Sequence, residues 1–239
     1  KKVVVLKPLI FNLKMNHSLQ EMIAYKKELE KDSLANLSIA PATCYLPLMH
    51  SPHYDLISQY VSPREKNKVT GSTSAEALKS LDVKGVLINH FESRTRPDEV
   101  ESQVKECLEN NLKVYLIITG TLEEYYYQYT SEVLMMHLQV FLKDVSPKYY
   151  SKIVVVYEPS FLIGEEKALP INELNNIFKE LRLKMNDYFH YTFPLYYGGG
   201  LSRSNMKSYL EDENIDGLLI GSFANKISNL CQLKEIRHD

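Results

Sequence analysis

Four side chains of chemically useful type are scattered widely along the 239 residues: the amide of Asn12, the ammonium of Lys14, the imidazole of His90 and the carboxylate of Glu158. A carboxylate and an imidazole are the ordinary carriers of general acid–base work, while an ammonium and an amide can donate to developing negative charge. The run Gly198-Gly199-Gly200 adds backbone N–H groups with no side chain in the way. Taken singly, each has an ordinary reading: a surface lysine, a turn asparagine, a hydrogen-bonded structural histidine, a glutamate closing a strand before Pro159, a flexible glycine loop. Their placement gives them joint meaning, because each stands just beyond the end of a separate short apolar run.

Eight such runs are expected as strands: Leu9-Leu13, Leu37-Ala40, Leu56-Tyr60, Gly85-Asn89, Val114-Thr119, Ile153-Tyr157, Pro194-Tyr197 and Gly217-Ile220. Most lack a period of two, as strands covered on both faces do. Helix-patterned segments lie between them at Ser18-Lys31, Asp98-Asn110, Glu123-Leu142, Asn172-Phe189 and Ser204-Glu211. The first opens with a capping box, Ser18 followed three residues later by Glu21. Strand and helix patterns alternate from end to end with no linker rich in Gly, Pro or Ser, so residues 1–239 read as one continuous α/β domain, a (β/α)8 barrel. An open doubly wound sheet would carry a glycine-rich phosphate loop after its first strand. Here that strand runs into Asn12-Leu13-Lys14-Met15-Asn16, a polar cluster without glycine, which favours the barrel, where sites collect at the C-terminal ends of several strands.

The composition excludes other classes. A hydrophobic content of 44% and a charged content of 24% suit a single large core, and a formal charge of -2 gives no basic field for nucleic acid or an anionic membrane surface. The opening Lys1-Lys2-Val3-Val4-Val5-Leu6 is interrupted too soon by Lys7 and Pro8 to span a membrane and reads as the approach to the first strand. Cys44, Cys107 and Cys231 are odd in number and widely spaced, which fits neither a disulfide framework nor a zinc site and makes the reducing cytoplasm the default compartment. His50 and His53 have no third ligand at suitable spacing. Without a basic groove, Tyr125, Tyr126, Tyr127 and Tyr129 read as an outer helix flank and not as a base-stacking platform.

Five segments, in order, resemble the triosephosphate isomerase family. Asn12-Leu13-Lys14-Met15-Asn16 is similar to the family's N-W-K-M-N, and Asn89-His90-Phe91-Glu92-Ser93-Arg94 to G-H-S-E-R-R. Tyr157-Glu158-Pro159 through Gly164-Glu165-Glu166-Lys167 resembles Y-E-P-V-W-A-I-G-T-G-K. Tyr197-Gly198-Gly199-Gly200 looks like Y-G-G-S, and Asp216-Gly217-Leu218-Leu219-Ile220-Gly221-Ser222 like D-G-F-L-V-G-G. The resemblance implies an isomerase acting on a small phosphorylated triose. Glu158 would be the base, His90 a neutral electrophile, and Asn12 and Lys14 donors near the enediolate. The phosphate would rest on backbone N–H groups of Gly164, Gly200, Gly221 and Ser222. It further implies a homodimer formed through the loop around Arg64-Gly71, whose stretch Arg64-Glu65-Lys66-Asn67-Lys68 by itself reads as a solvated loop. No metal, nicotinamide or flavin is required by this chemistry, and none of their ligand patterns is present.

The departures cluster around the support of the site. Phe91 stands for the family's Ser and Phe161 for its loop Trp; Glu165 and Glu166 replace Thr and Gly; Ile117-Ile118-Thr119-Gly120 stands where C-I-G-E is expected; Ser72 and Ser93 replace an acid and an arginine together. Two consequences are expected: Phe91 makes the surroundings of Glu158 more apolar, and Glu165 with Glu166 opposes closure of the loop 160–167 over an anionic phosphate. The other readings of the set are a catalytically impaired barrel with a binding or assembly role and another sugar-phosphate barrel enzyme.

Overall fold

The computed structural model describes residues 6–31, 34–63, 69–93 and 95–238. Eight parallel strands close on themselves in sequence order: β1 (Leu9–Asn12), β2 (Leu37–Ala40), β3 (Asp55–Ser58), β4 (Gly85–Ile88), β5 (Lys113–Ile118), β6 (Ile153–Tyr157), β7 (Leu195–Gly198) and β8 (Gly217–Ile220). Closure is made by β1 against β8, with Leu9 opposite Leu218 and Phe11 opposite Ile220. The helices are α1 (Leu19–Lys31), α2 (Ala75–Ser80), α3 (Pro97–Glu109), α4 (Leu122–Tyr126), α5 (Thr130–Phe141), α6 (Ile171–Phe189), α7 (Met206–Glu211) and α8 (Ile227–His238). This is the expected (β/α)8 barrel.

Side chains alternate across each strand, so every strand serves two cores. Ile10, Ala40, Ile57, Leu87, Tyr115, Ile117, Val154, Val156, Tyr196 and Leu219 point inward and fill the barrel, leaving no open pore. Their neighbours, such as Leu9, Phe11, Val155 and Leu218, point outward and pack under the helices. The two interior tyrosines need room, and small residues supply it. A Cβ on Gly217 would lie 2.6 Å from the Tyr196 ring, and one on Gly85 would lie 3.0 Å from that of Tyr115.

The Ser18 capping box forms as expected, with Ser18 N donating to Glu21 Oε2 at 2.7 Å and Glu21 N to Ser18 Oγ at 3.4 Å. The helix expected over Glu123-Leu142 is two helices. A second capping box, Thr121 with Glu124, starts α4, and Gln128 in the left-handed region (φ 61°) ends its run. No glycine or proline marks this break; it lets Thr130 and Leu134 bury, at 2% and 0% exposure. The third strand lies one residue earlier than expected and ends at Ser58. Among the described residues no helix is long and apolar enough to cross a membrane, and no group of His, Cys, Asp or Glu is arranged to hold a metal ion.

Candidate active site

The inward alternation of the strands continues past their ends and delivers the site. Ile10 faces the barrel interior, so Asn12, two residues on, reaches its mouth; Val154 and Val156 face inward, so Glu158 does too; Leu219 faces inward and Gly221 follows. His90 arrives differently. Asn89 adopts φ 65°, a conformation asparagine tolerates better than most residues, and its side chain donates to Ile117 O at 2.9 Å. The chain then enters a single 3-10 turn, Phe91–Ser93, with Ser93 N donating to His90 O at 2.8 Å. One cavity is lined by Asn12, Lys14, His90, Glu158, Gly164, Gly200, Gly221 and Ser222, so all eight residues singled out in the sequence meet.

Glu158 is 8% exposed, and its Oε2 lies 3.2 Å from His90 Nε2 without an aligned hydrogen bond, leaving that oxygen unpartnered among the described residues. Burial pushes its carboxyl up to about 7; the Lys14 ammonium acts against this and Glu92 with it. His90 is pushed the other way: burial disfavours the imidazolium, Glu92 partly offsets that, and Lys14 adds to it. Its Nδ1 lies 3.2 Å from the backbone N–H of Glu92, which can only donate. Neutral His90 therefore carries its proton on Nε2, the nitrogen facing the mouth.

Lys14 sits at φ 51°, a strained conformation for a non-glycine residue that costs on the order of 1 kcal/mol. Three contacts hold it. Its N–H donates to Asn12 Oδ1 at 3.2 Å, its carbonyl accepts from Gln59 Nε2 at 2.9 Å, and its ammonium pairs with Glu92 Oε1 at 2.6 Å. Gln59 also donates to Ala40 O at 2.8 Å, tying the loop after β1 to the end of β2. Neither Gln59 nor Glu92 was assigned a role from the sequence. The one signal available was a polar residue directly past a strand end, which many surface residues share.

The segment 160–169 is anchored at both ends. Ser160 gives its N–H and its hydroxyl to Gly120 O, each at 3.0 Å, and Leu169 N donates to the Tyr197 hydroxyl at 3.0 Å while the Tyr209 hydroxyl donates to Leu169 O. Between these anchors Leu162, Ile163, Gly164 and Glu165 form one wall of the cavity. Gly200, at φ 61°, lies against the backbone of Lys167, whose carbonyl oxygen a Cβ would meet at 1.9 Å. With the segment here the free volume is about 40 Å³, room for a few water molecules.

Two expectations about the support need correction. Phe91 is 55% exposed and does not line the cavity, so it does not desolvate Glu158; the barrel mouth as a whole does. Of the two loop carboxylates, Glu165 faces the cavity and Glu166 does not line it. Arg94 and Arg64–Lys68 lie outside the described residues.

The family profile for triosephosphate isomerase matches residues 7–237, almost the whole chain. The chain belongs to the triosephosphate isomerase family. Curated triosephosphate isomerases resemble it at modest identity. That of Mesomycoplasma hyorhinis is 32% identical over 75% of this chain and 72% of its own length, and that of Malacoplasma penetrans is 26% identical over 96% and 98%. One from Clostridium botulinum is 27% identical over 93% of this chain and 96% of its own. The last two of these alignments span nearly the whole of both chains.

Proposed function

We propose that this protein interconverts dihydroxyacetone phosphate and D-glyceraldehyde 3-phosphate by proton transfer through an enediolate. The observation that carries the reading is the pairing of a buried, otherwise unbonded carboxylate oxygen with a neutral imidazole N–H 3.2 Å away, at the mouth of a barrel of this family. Glu158 takes the proton from the carbon beside the carbonyl. The electron pair moves onto the carbonyl oxygen, where His90 Nε2–H and the Lys14 ammonium stabilise it; a proton passes from the neighbouring hydroxyl to that oxygen, and Glu158 returns its proton to the former carbonyl carbon as the new carbonyl forms. Asn12 positions Lys14 and the substrate. The N–H groups of Gly164, Gly200, Gly221 and Ser222 receive the phosphate.

The protein acts as a homodimer in this reading, in the cytoplasm, where Cys44, Cys107 and Cys231, all free, stay thiols. Support for the dimer comes from apolar side chains left bare on the loops after β1, β3 and β4, one sector of the mouth: Met15 at 88% exposure, Phe91 at 55%, Val69 at 39% and Tyr60 at 38%. Light scattering gives a two-chain mass if this is right. A coupled assay with glyceraldehyde 3-phosphate at rising enzyme concentration tests the activity. Inactivity of the folded dimer, together with retained binding of a phosphate-bearing enediolate analogue, would leave the impaired barrel as the reading.

A further inference from the structure

A concavity of about 570 Å³ opens on the outer ring, away from the mouth, between the α4–α5 corner and the outward face of α6. Its volume lies in the range of small-molecule sites. Glu173, Ile177, Glu180 and Leu183 follow one another along α6 at offsets of four, seven and ten residues from the first, and Tyr125, Thr130 and Ser131 complete the lining. The unannounced break at Gln128 creates the space, since a continuous helix would have run across it.

The lining is chemically specific. The Tyr125 hydroxyl donates to Glu173 and the Ser131 hydroxyl to Glu180 Oε2 at 2.6 Å, so both carboxylates are held in place yet keep free lone pairs. Thr130 is 2% exposed, and only its edge reaches the pocket wall. Ile177 and the rim residue Leu183 offer apolar contact, and with Lys179 as the sole basic lining residue among the described residues against two glutamates the pocket is net negative. The two carboxylates are seven residues apart on the helix, about 10 Å along its axis. We propose that this pocket binds a small organic cation of the aliphatic di- or polyamine class. The ammonium ends lie at Glu173 and Glu180, and the methylenes lie on Ile177 and Leu183.

The lining of this pocket also adjoins the segment 160–169. The Tyr125 ring packs on Phe161 with centroids 5.5 Å apart, and Glu173 lies in the first turn of α6, just past the segment. Gly120, whose carbonyl holds Ser160, packs so closely on Thr130 that an added Cβ would lie 3.3 Å from its methyl group. Occupancy therefore changes how readily the segment moves, a consequence that rests on the isomerase reading, whereas the binding itself does not.

Calorimetry with 1,5-diaminopentane and with spermidine, against 1,5-pentanediol as the uncharged control, decides the site. The parent is expected to bind both amines saturably with one-to-one stoichiometry and to ignore the diol. Glu173→Gln with Glu180→Gln should weaken amine binding at least tenfold at unchanged circular dichroism, and Tyr125→Phe should weaken it less. No saturable binding by the parent, equal affinity in the double variant, or equal binding of the diol would overturn the proposal. Saturating diamine should shift the KM for glyceraldehyde 3-phosphate in the parent and not in the double variant; an unchanged parental KM overturns the coupling. A parent without isomerase activity would fail the functional reading, while calorimetry would still decide the pocket.

Discussion

Asn12 and Glu158 stand at the ends of β1 and β6 and continue the inward alternation of those strands, whereas Phe91, Glu165 and Glu166 stand on turns further out, where no alternation constrains them. The first group is buried; the second is exposed and departs from the family pattern, a departure it shares with buried Ile117 and Ile118 on β5. The difference teaches that a barrel protects its chemistry by strand parity. A substitution at a strand end changes what faces the cavity, while of these three turn residues only Glu165 reaches its wall.

The sharpest way to break this comparison is at the strand ends. Glu158→Asp withdraws the base by one methylene, on the order of 1 Å, and should lower kcat at least a hundredfold with folding intact. Steady-state rates beside a denaturation curve check this, and near-parental turnover removes Glu158 from the mechanism. His90→Asn should lower kcat by about a hundredfold while an enediolate analogue's phosphate still binds, because the imidazole serves charge that develops only during reaction. A variant that loses analogue binding but keeps kcat would contradict that role.

Electrostatics supplies the next tests. Since burial lifts Glu158 from 4.5 to about 7, kcat/KM should fall tenfold per pH unit below about pH 7. The substrate phosphate titrates near 6, so the position of the limb separates the two groups. The same shift has a stability consequence. The folded carboxyl keeps its proton where the unfolded one has lost it, so stability falls as pH rises from 4.5 to about 7 and stays reduced above. Glu158→Gln should therefore gain stability over the parent between pH 5 and pH 8, by up to about 3 kcal/mol, read from urea unfolding. A constant difference across that range would contradict the burial of a titrating carboxyl.

The smallest effects belong to the turns. Glu165→Gln should lower the KM a few-fold and weaken its salt dependence, whereas Glu166→Gln should do neither, because only Glu165 faces the cavity. Phe91→Ser should leave the acidic limb where it is, since the ring does not line the cavity. A limb that moved to lower pH would restore the ring to the surroundings of Glu158.

What was legible in the sequence follows the same division. Apolar runs set the eight strands almost to the residue, because strands buried on both faces must be continuously apolar, and the polar residues at their ends stood out against that background. The split between α4 and α5 was not legible, because Gln128 takes a left-handed backbone with no glycine or proline to signal it. Gln59 and Glu92 were equally hidden: their roles are contacts to Lys14 across the barrel mouth, and nothing local distinguishes them from surface residues. The direction in which Phe91 points depends on a single 3-10 turn, below what periodicity can resolve.

The central claim is that Glu158 moves a carbon-bound proton. Conversion of glyceraldehyde 3-phosphate in deuterium oxide, followed by proton nuclear magnetic resonance for parent and Glu158→Asp, tests it most directly. The account predicts that the parent forms dihydroxyacetone phosphate with deuterium on the carbon that receives the transferred proton, since a carboxyl proton exchanges with solvent before it returns. Isomerisation and deuterium uptake should fall together, by at least a hundredfold, in the variant. Isomerisation by Glu158→Asp at the parental rate, or a folded parent that forms no dihydroxyacetone phosphate, would contradict it.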